Sequence, residues 1–152
     1  SEAALDVARE NAAYHGVLDR VELVHGDMLQ PFLERRMHGQ LAAVACNPPY
    51  VPEARLEQLP EEVRLYEPRL ALNGGPDGLQ FYRLLATQAP QLLQAGGLLA
   101  GEVDCEKAQE VVGIRKSTGC FAWVEVRKDL AGLDRVVLAR KAHWDEQKGD
   151  NC

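Results

Sequence analysis

The stretch Leu-Ala-Ala-Val-Ala-Cys-Asn-Pro-Pro-Tyr, residues 41–50, says more about the fold and the chemistry than any other part of the chain. Its first six residues, Leu41–Cys46, are apolar and mostly small, which predicts a strand of a parallel sheet covered on both faces. Asn47, Pro48, Pro49 and Tyr50 then follow at the carboxyl end of that strand. We therefore expect a rigid loop at the sheet edge where α/β proteins bind ligands.

This loop presents hydrogen-bond acceptors. Pro48 and Pro49 have no N–H group and a fixed φ, yet each keeps its carbonyl oxygen. The side-chain oxygen of Asn47 and the carbonyl oxygen of Pro48 can therefore accept both protons of one planar NH2 group, while Tyr50 offers a flat apolar face. The nitrogen lone pair of an amide or aryl amine held in this way is free to attack an electrophilic methyl group. A turn that merely ends the strand is the plainer alternative.

Outward from this stretch, strands alternate with helices along the chain. The pattern predicts helices at residues 1–15, 31–37, 79–94 and 106–116, and strands at residues 21–25, 41–46, 98–103, 121–128 and 135–140. The last two strands are joined by a short turn, so we expect them to pair antiparallel. The sequence therefore predicts an α/β fold with a mostly parallel sheet and a C-terminal antiparallel hairpin.

The composition argues against several classes of function. The 152 residues carry a net charge of −6, and no cluster of Lys and Arg marks a surface for a polyanion. No apolar run approaches the length of a membrane span. The four histidines lack the spacing of metal ligands, so we expect no metal site. A soluble, single-domain protein that does not bind nucleic acid directly is the expectation.

The segment 51–78 is rich in Pro, Glu and Gly, and it is too long for an ordinary connection, so we expect it to be functional. Within it, the run from Gly74 to Gly78 contains Pro and Asp, which favours a turn leading into a helix over a phosphate cradle. Glu67 precedes a proline, which places it in an extended or turn conformation. It is a solvated charge, is paired with Arg64 or Arg69, or orders a substrate loop. Glu102 is interpreted as an ordinary carboxylate at a strand end.

Five segments of the chain are informative together: residues 1–12, 26–28, 47–52, 63–72 and 74–79. They resemble the HemK/PrmC family of S-adenosylmethionine-dependent methyltransferases, which methylate the side-chain amide of a glutamine in peptide-chain release factors. An Asn-Pro-Pro-Tyr motif alone is shared with adenine-amine DNA methyltransferases. The Tyr-Glu-Pro and Gly-Gly-x-x-Gly-Leu motifs at this distance after it are what resemble the glutamine enzymes.

The resemblance implies an incomplete class I (Rossmann-like) methyltransferase fold that lacks the first two strands. The strand order of that fold is 3-2-1-4-5-7-6, and this chain would supply strands 3 to 7. Residues 1–141 would then be the C-terminal portion of the catalytic domain, followed by a polar, disordered tail at 142–152. Leu41–Cys46 would expose an unpaired edge, and we expect the chain alone to bind S-adenosylmethionine weakly or not at all.

The resemblance also implies roles for individual residues. Asn47, Pro48, Pro49 and Tyr50 would be catalytic. Asp27, Met28 and Asn47 would bind S-adenosylmethionine, with the Asp27 carboxylate accepting from the adenine amine and Met28 covering the ring. Asp27 could instead simply cap the turn after its strand.

The implied partner is a peptide-chain release factor. We expect the protein to be a monomer, and both the bacterial cytoplasm and the mitochondrial matrix fit as its compartment. Two rival hypotheses stay open: an adenine-amine methyltransferase acting on nucleic acid, which predicts a basic face near Asn47, and a truncated module that only binds a partner.

Overall fold

A four-stranded sheet forms the centre of the computed structural model, which describes residues 1–143. The predicted tail, residues 142–152, therefore lies outside the described residues from residue 144 onward. The strands have the order β1-β2-β4-β3. This order matches the 4-5-7-6 part of the order that the resemblance implies. The strands are β1 (Leu41–Cys46), β2 (Leu93–Glu102), β3 (Phe121–Lys128) and β4 (Asp134–Lys141).

The α/β class and the C-terminal hairpin are confirmed, but the sheet is mixed instead of mostly parallel. Strands β1 and β2 are parallel, whereas β4 runs antiparallel to both β2 and β3. The reason is topological, because the hairpin turn folds β4 back along β3 and β4 is then inserted beside β2. Among the described strands, only the pair of β1 and β2 is parallel.

Six α-helices accompany the sheet in the part of the chain that the structure describes. Ser1 caps the first of them, since its Oγ accepts a hydrogen bond from the backbone N–H of Ala4 at 3.3 Å. Two short 3-10 helices, Leu18–Arg20 and Glu53–Gln58, lie between the others. The α-helices are α1 (Glu2–Tyr14), α2 (Gln30–Glu34), α3 (Glu61–Tyr66), α4 (Arg69–Leu72), α5 (Gln80–Leu92) and α6 (Ala108–Ser117).

The predicted strand at residues 21–25 is wrong, because the backbone there joins no sheet. A strand needs a neighbour for its N–H and C=O groups, and no described strand lies on the open side of β1. The expected unpaired edge at Leu41–Cys46 is confirmed by the same strand order. Ala42, Ala43 and Ala45 of β1 are exposed accordingly.

Two apolar clusters hold the helices against the sheet. The first contains Val44, Leu85 and Leu99, and the second contains Tyr82, Val103 and Val137. Helix α5 contributes to both clusters and contacts β2, while α6 contacts β3 and β4. The carboxyl ends of β1 and β2 are therefore fixed by a core that lies directly beneath them.

A fully buried arginine lies within this core. One terminal nitrogen (Nη1) of Arg115 donates to the carbonyl oxygens of Leu99 at 3.3 Å and Val137 at 2.6 Å. Its Nε and Nη2 have no hydrogen-bond partner within residues 1–143. Burial lowers the pKa of Arg115 to about 10. We therefore expect the guanidinium to reduce stability, because it is desolvated without a carboxylate to pair with.

Candidate active site

Asn47 is exposed directly beyond the last residue of β1, with Pro48 buried behind it. The Asn47 side chain makes no hydrogen bond within residues 1–143, so its amide oxygen is available to a bound group. Pro49 is half-buried and continues the loop. Asn47 therefore lies at the carboxyl end of the strand, followed by two prolines that stiffen the backbone.

Tyr50 is half-buried and packs against the second apolar cluster. Burial raises the pKa of Tyr50, and the carboxylates of Glu102 and Asp104 raise it further, while Arg135 opposes them. The charges of these two carboxylates therefore act on Tyr50. Glu102 was interpreted from the sequence as an ordinary strand-end group, and Asp104 was not singled out. Glu102 is the last residue of a buried strand, β2, and Asp104 follows two residues later. This position was the signal available for both.

Backbone hydrogen bonds attach the Asn-Pro-Pro-Tyr loop to the chain around residue 73. The N–H of Val51 donates to the carbonyl oxygen of Leu72, and the N–H of Gly74 donates to the carbonyl oxygen of Val51, both at 2.9 Å. Val51 and Asn73 form a parallel bridge. Residues 52–71 therefore form an excursion that begins and ends beside Tyr50.

Two glycines of the Gly-Gly-x-x-Gly segment make this attachment sterically possible. A β-carbon on Gly74 would lie 2.7 Å from the Cα of Tyr50, and one on Gly78 would lie 2.4 Å from its carbonyl oxygen. Gly78 also has a φ of +77°, which other residues seldom adopt. The expectation of a turn that leads into a helix is confirmed, since this segment leads directly into α5. The glycines are needed because backbone packs against backbone here.

Asp77 fixes the turn itself. Its Oδ1 accepts the N–H of Leu79 at 3.0 Å and a guanidinium N–H of Arg83 at 3.1 Å. These hydrogen bonds from Arg83 and Leu79 lower the pKa of Asp77 to about 2. The carboxylate is thus used in holding the turn closed at the start of α5.

Asp27 and Met28 lie in a second loop. Asp27 is exposed, and its side chain makes no hydrogen bond in the described part of the chain, so its carboxylate does not cap the turn there. Met28 has a φ of +47°, an unusual value for a residue with a side chain. Met28 packs, half-buried, against the first apolar cluster, as does Cys46 at the end of β1. The first cluster therefore supports Met28 and the end of β1, whereas Tyr50 packs against the second cluster.

Glu67 is exposed and forms no ion pair with Arg64 or Arg69. Arg69 instead contacts Glu57 at 2.6 Å. Among residues 1–143, no group of three or more His, Cys, Asp or Glu side chains could hold a metal ion. None of the described helices combines the length and the apolar character that crossing a membrane requires.

The chain is similar to curated bacterial proteins named release factor glutamine methyltransferase. It is 47% identical to the protein from Moorella thermoacetica over 91% of this chain and 47% of that protein. It is 43% identical to the Geobacter sulfurreducens protein over 92% of this chain and 47% of the relative. It is 45% identical to the Chlorobaculum tepidum protein over 87% of this chain and 44% of that protein. No protein-family model matches the chain.

The chain spans about half the length of the curated relatives it matches. The aligned region covers about nine tenths of this chain, so both candidate loops and most of the sheet lie within it. Over the length that it covers, the chain is therefore a homologue of the release factor glutamine methyltransferases.

Proposed function

We propose that the protein carrying this chain transfers a methyl group from S-adenosylmethionine to the side-chain amide nitrogen of a glutamine in a peptide-chain release factor. The observation that carries the proposal is the Asn47 amide oxygen, which is exposed and has no partner within residues 1–143 at the carboxyl end of β1. The names of the similar proteins support the substrate.

In the proposed reaction, the Asn47 side-chain oxygen and the Pro48 carbonyl oxygen accept the two N–H groups of the substrate amide. Pro49 stiffens the loop, and Tyr50 packs on the flat amide group. S-adenosylmethionine supplies a methyl group on a positively charged sulfur. The nitrogen lone pair forms the new C–N bond while the electrons of the S–C bond return to sulfur, and the positive nitrogen then loses a proton to water. The loop contributes mainly positioning.

We further propose that Asp27 and Met28 bind the adenine end of S-adenosylmethionine. The free, exposed carboxylate of Asp27 can accept from the exocyclic amine. The flexible thioether side chain of Met28 suits contact with an aromatic ring. Asn47 borders both the cofactor and the substrate in this arrangement.

The charge around the loop supports a protein substrate over nucleic acid. Residues 53–62 carry Glu53, Glu57, Glu61 and Glu62 against Arg55 alone. A face that binds a phosphate backbone needs the opposite balance. We propose a monomer that meets its release factor where translation ends, which in the bacteria of the named relatives is the cytoplasm.

The test is Asn47→Ala, assayed by transfer of a radiolabelled methyl group to a purified release factor. We expect the rate to fall by roughly 10²–10³-fold, as when one oriented hydrogen-bonding group is lost from an active site. The melting temperature should not change, because Asn47 is exposed and bonds to nothing else in the described chain. Asn11→Ala, an exposed asparagine on α1, is the matched control.

A near-normal rate for Asn47→Ala would remove this residue from the mechanism. A release factor with its acceptor glutamine replaced by alanine should accept no label. Label in a nucleic acid substrate and none in the release factor would favour the adenine-amine alternative instead.

A further inference from the structure

The excursion at residues 52–71 carries a surface that nothing in the described chain covers. Leu56 anchors its first part, with only 3% of its surface exposed. The rest, from residue 60 to residue 71, is exposed apart from the half-buried Val63. Both ends of the excursion are fixed beside Tyr50 by the hydrogen bonds between Val51 and residues 72 and 74. A firmly anchored segment is therefore directed outward next to the candidate active site.

Three large apolar side chains occupy this surface within six positions. Leu65 is 54% exposed, Tyr66 is 82% exposed and Leu70 is 73% exposed. We call these three residues, on α3 and α4, the α3–α4 surface. Single exposed apolar side chains are common, but three of them within six positions beside a candidate site indicate an interaction surface.

Exposed acidic side chains lie in the same segment as the α3–α4 surface. Glu61, Glu62 and Glu67 form no ion pair within residues 1–143, and all three are exposed. In the same segment only Arg64 is a cation without such a pair, because Arg69 is held by Glu57. A complementary partner therefore combines apolar side chains with an excess of Lys and Arg.

We propose that the α3–α4 surface docks the protein substrate, through an apolar and basic surface near the acceptor glutamine. This inference rests on the proposed function, since it assigns a binding surface to the same reaction. A single amide group offers little binding energy, so selection of one glutamine in a protein requires contacts away from the reacting atoms. The α3–α4 surface lies on the excursion that starts and ends at the Asn-Pro-Pro-Tyr loop. A protein bound there would have its acceptor glutamine near Asn47.

The experiment uses the triple variant Leu65→Ser, Tyr66→Ser, Leu70→Ser in the protein that carries this chain. Leu130→Ser is the control, because Leu130 is a fully exposed leucine at the hairpin turn between β3 and β4. Methyl transfer is measured with a purified release factor and with a short glutamine-containing peptide. The Kd for the release factor is measured by calorimetry, and melting temperature and sedimentation are measured for each variant alone.

We expect the triple variant to raise the KM and Kd for the release factor at least about tenfold, as the loss of interface anchors does. The kcat at saturation, the kcat/KM for the peptide and the melting temperature should match those of Leu130→Ser. Charge reversal at Glu61 and Glu62 should also weaken binding, most strongly at low salt.

Four results would overturn the inference. An unchanged Kd would show that the release factor does not use this surface. A melting temperature below that of the control would show that the surface is covered within the protein, and a changed sedimentation coefficient would assign it to self-association.

The docking surface and the proposed function can be tested separately. If the unsubstituted protein binds the release factor without methylating it, and the triple variant loses binding, the docking surface is supported and the proposed function is contradicted. If the unsubstituted protein does neither, both fall.

Discussion

Gly74 packs directly against the backbone of Tyr50, so that a β-carbon on Gly74 would lie 2.7 Å from the Tyr50 Cα and 2.8 Å from its carbonyl carbon. Both clashing atoms belong to the main chain, which cannot rotate away as a flexible side chain can. The position of the Asn-Pro-Pro-Tyr loop therefore depends on the absence of a side chain 24 residues farther along the chain.

Gly74→Ala is accordingly expected to displace Tyr50. Overpacking of this kind costs about 1–3 kcal/mol of unfolding free energy, and we expect methyl transfer to fall more steeply than stability does. Gly113→Ala is the matched control, since a β-carbon there meets nothing within 4 Å and Gly113 lies inside α6. It should stabilise the protein by about 0.5–1 kcal/mol. Denaturant unfolding and labelled methyl transfer measure both effects, and equal stability of the two variants would refute the packing argument.

Tyr50 is expected to act through its ring face. Its hydroxyl makes no hydrogen bond within residues 1–143, so Tyr50→Phe should keep most of the methyl-transfer rate. Tyr50→Ala removes the apolar face and should reduce kcat/KM by at least about tenfold, for a loss of roughly 1.4 kcal/mol. A large loss of rate in Tyr50→Phe would assign the hydroxyl a chemical role beside Glu102 and Asp104.

The Asp77 carboxylate is expected to make stability depend on acid pH. Hydrogen bonds from Arg83 and from the N–H of Leu79 lower its pKa from 3.8 to about 2 in the folded protein. The folded protein therefore binds this proton less readily than the unfolded chain does. The stabilisation is complete above about pH 4 and is lost as the pH falls towards about 2.

Asp77→Asn keeps an acceptor for Leu79 but removes the ion pair, so it should flatten the dependence of the melting temperature on pH in this range. Asp6→Asn, which removes only the exposed pair with Arg9 on α1, is the control. Identical acid profiles for Asp77→Asn and the unsubstituted protein would contradict the assignment.

The buried Arg115 guanidinium is expected to reduce stability. Its Nε and Nη2 lack partners in the described chain, and no carboxylate contributes to its pKa. Replacing buried charge with an apolar side chain of similar length commonly gains about 1–4 kcal/mol. Arg115→Met should therefore raise the melting temperature, while Arg64→Met on the exposed α3 should leave it nearly unchanged. A lower melting temperature for Arg115→Met would show that the two carbonyl contacts outweigh the desolvation.

The sequence predicted correctly those strands that are defined by the hydrophobic pattern of their own residues. Leu41–Cys46 and Phe121–Lys128 match to the residue, because an uninterrupted apolar run and a period of two suffice to define them. Strand β2 begins at Leu93, five residues before the predicted start at Leu98. Its first residues pair with β1 across a register shift, so their strand conformation depends on a distant partner.

The predictions that failed also depend on residues that are distant in the sequence. Residues 21–25 have the composition of a strand but no neighbour to pair with. In the candidate site, the exposed Asn47 was predictable from a strand followed by prolines. The close approach of Gly74 to Tyr50 was not, since sequence shows that glycine permits a turn but not which backbone lies against it.

Within residues 1–143, the strand that leads to Asn47 has one hydrogen-bonded neighbour instead of two, because β1 is open on its other side. Its outward amide hydrogens are therefore free to exchange with deuterium from the solvent. A second strand alongside would protect them. Deuterium uptake at residues 41–46 would thus report when the Asn47 loop gains support from both sides of its strand.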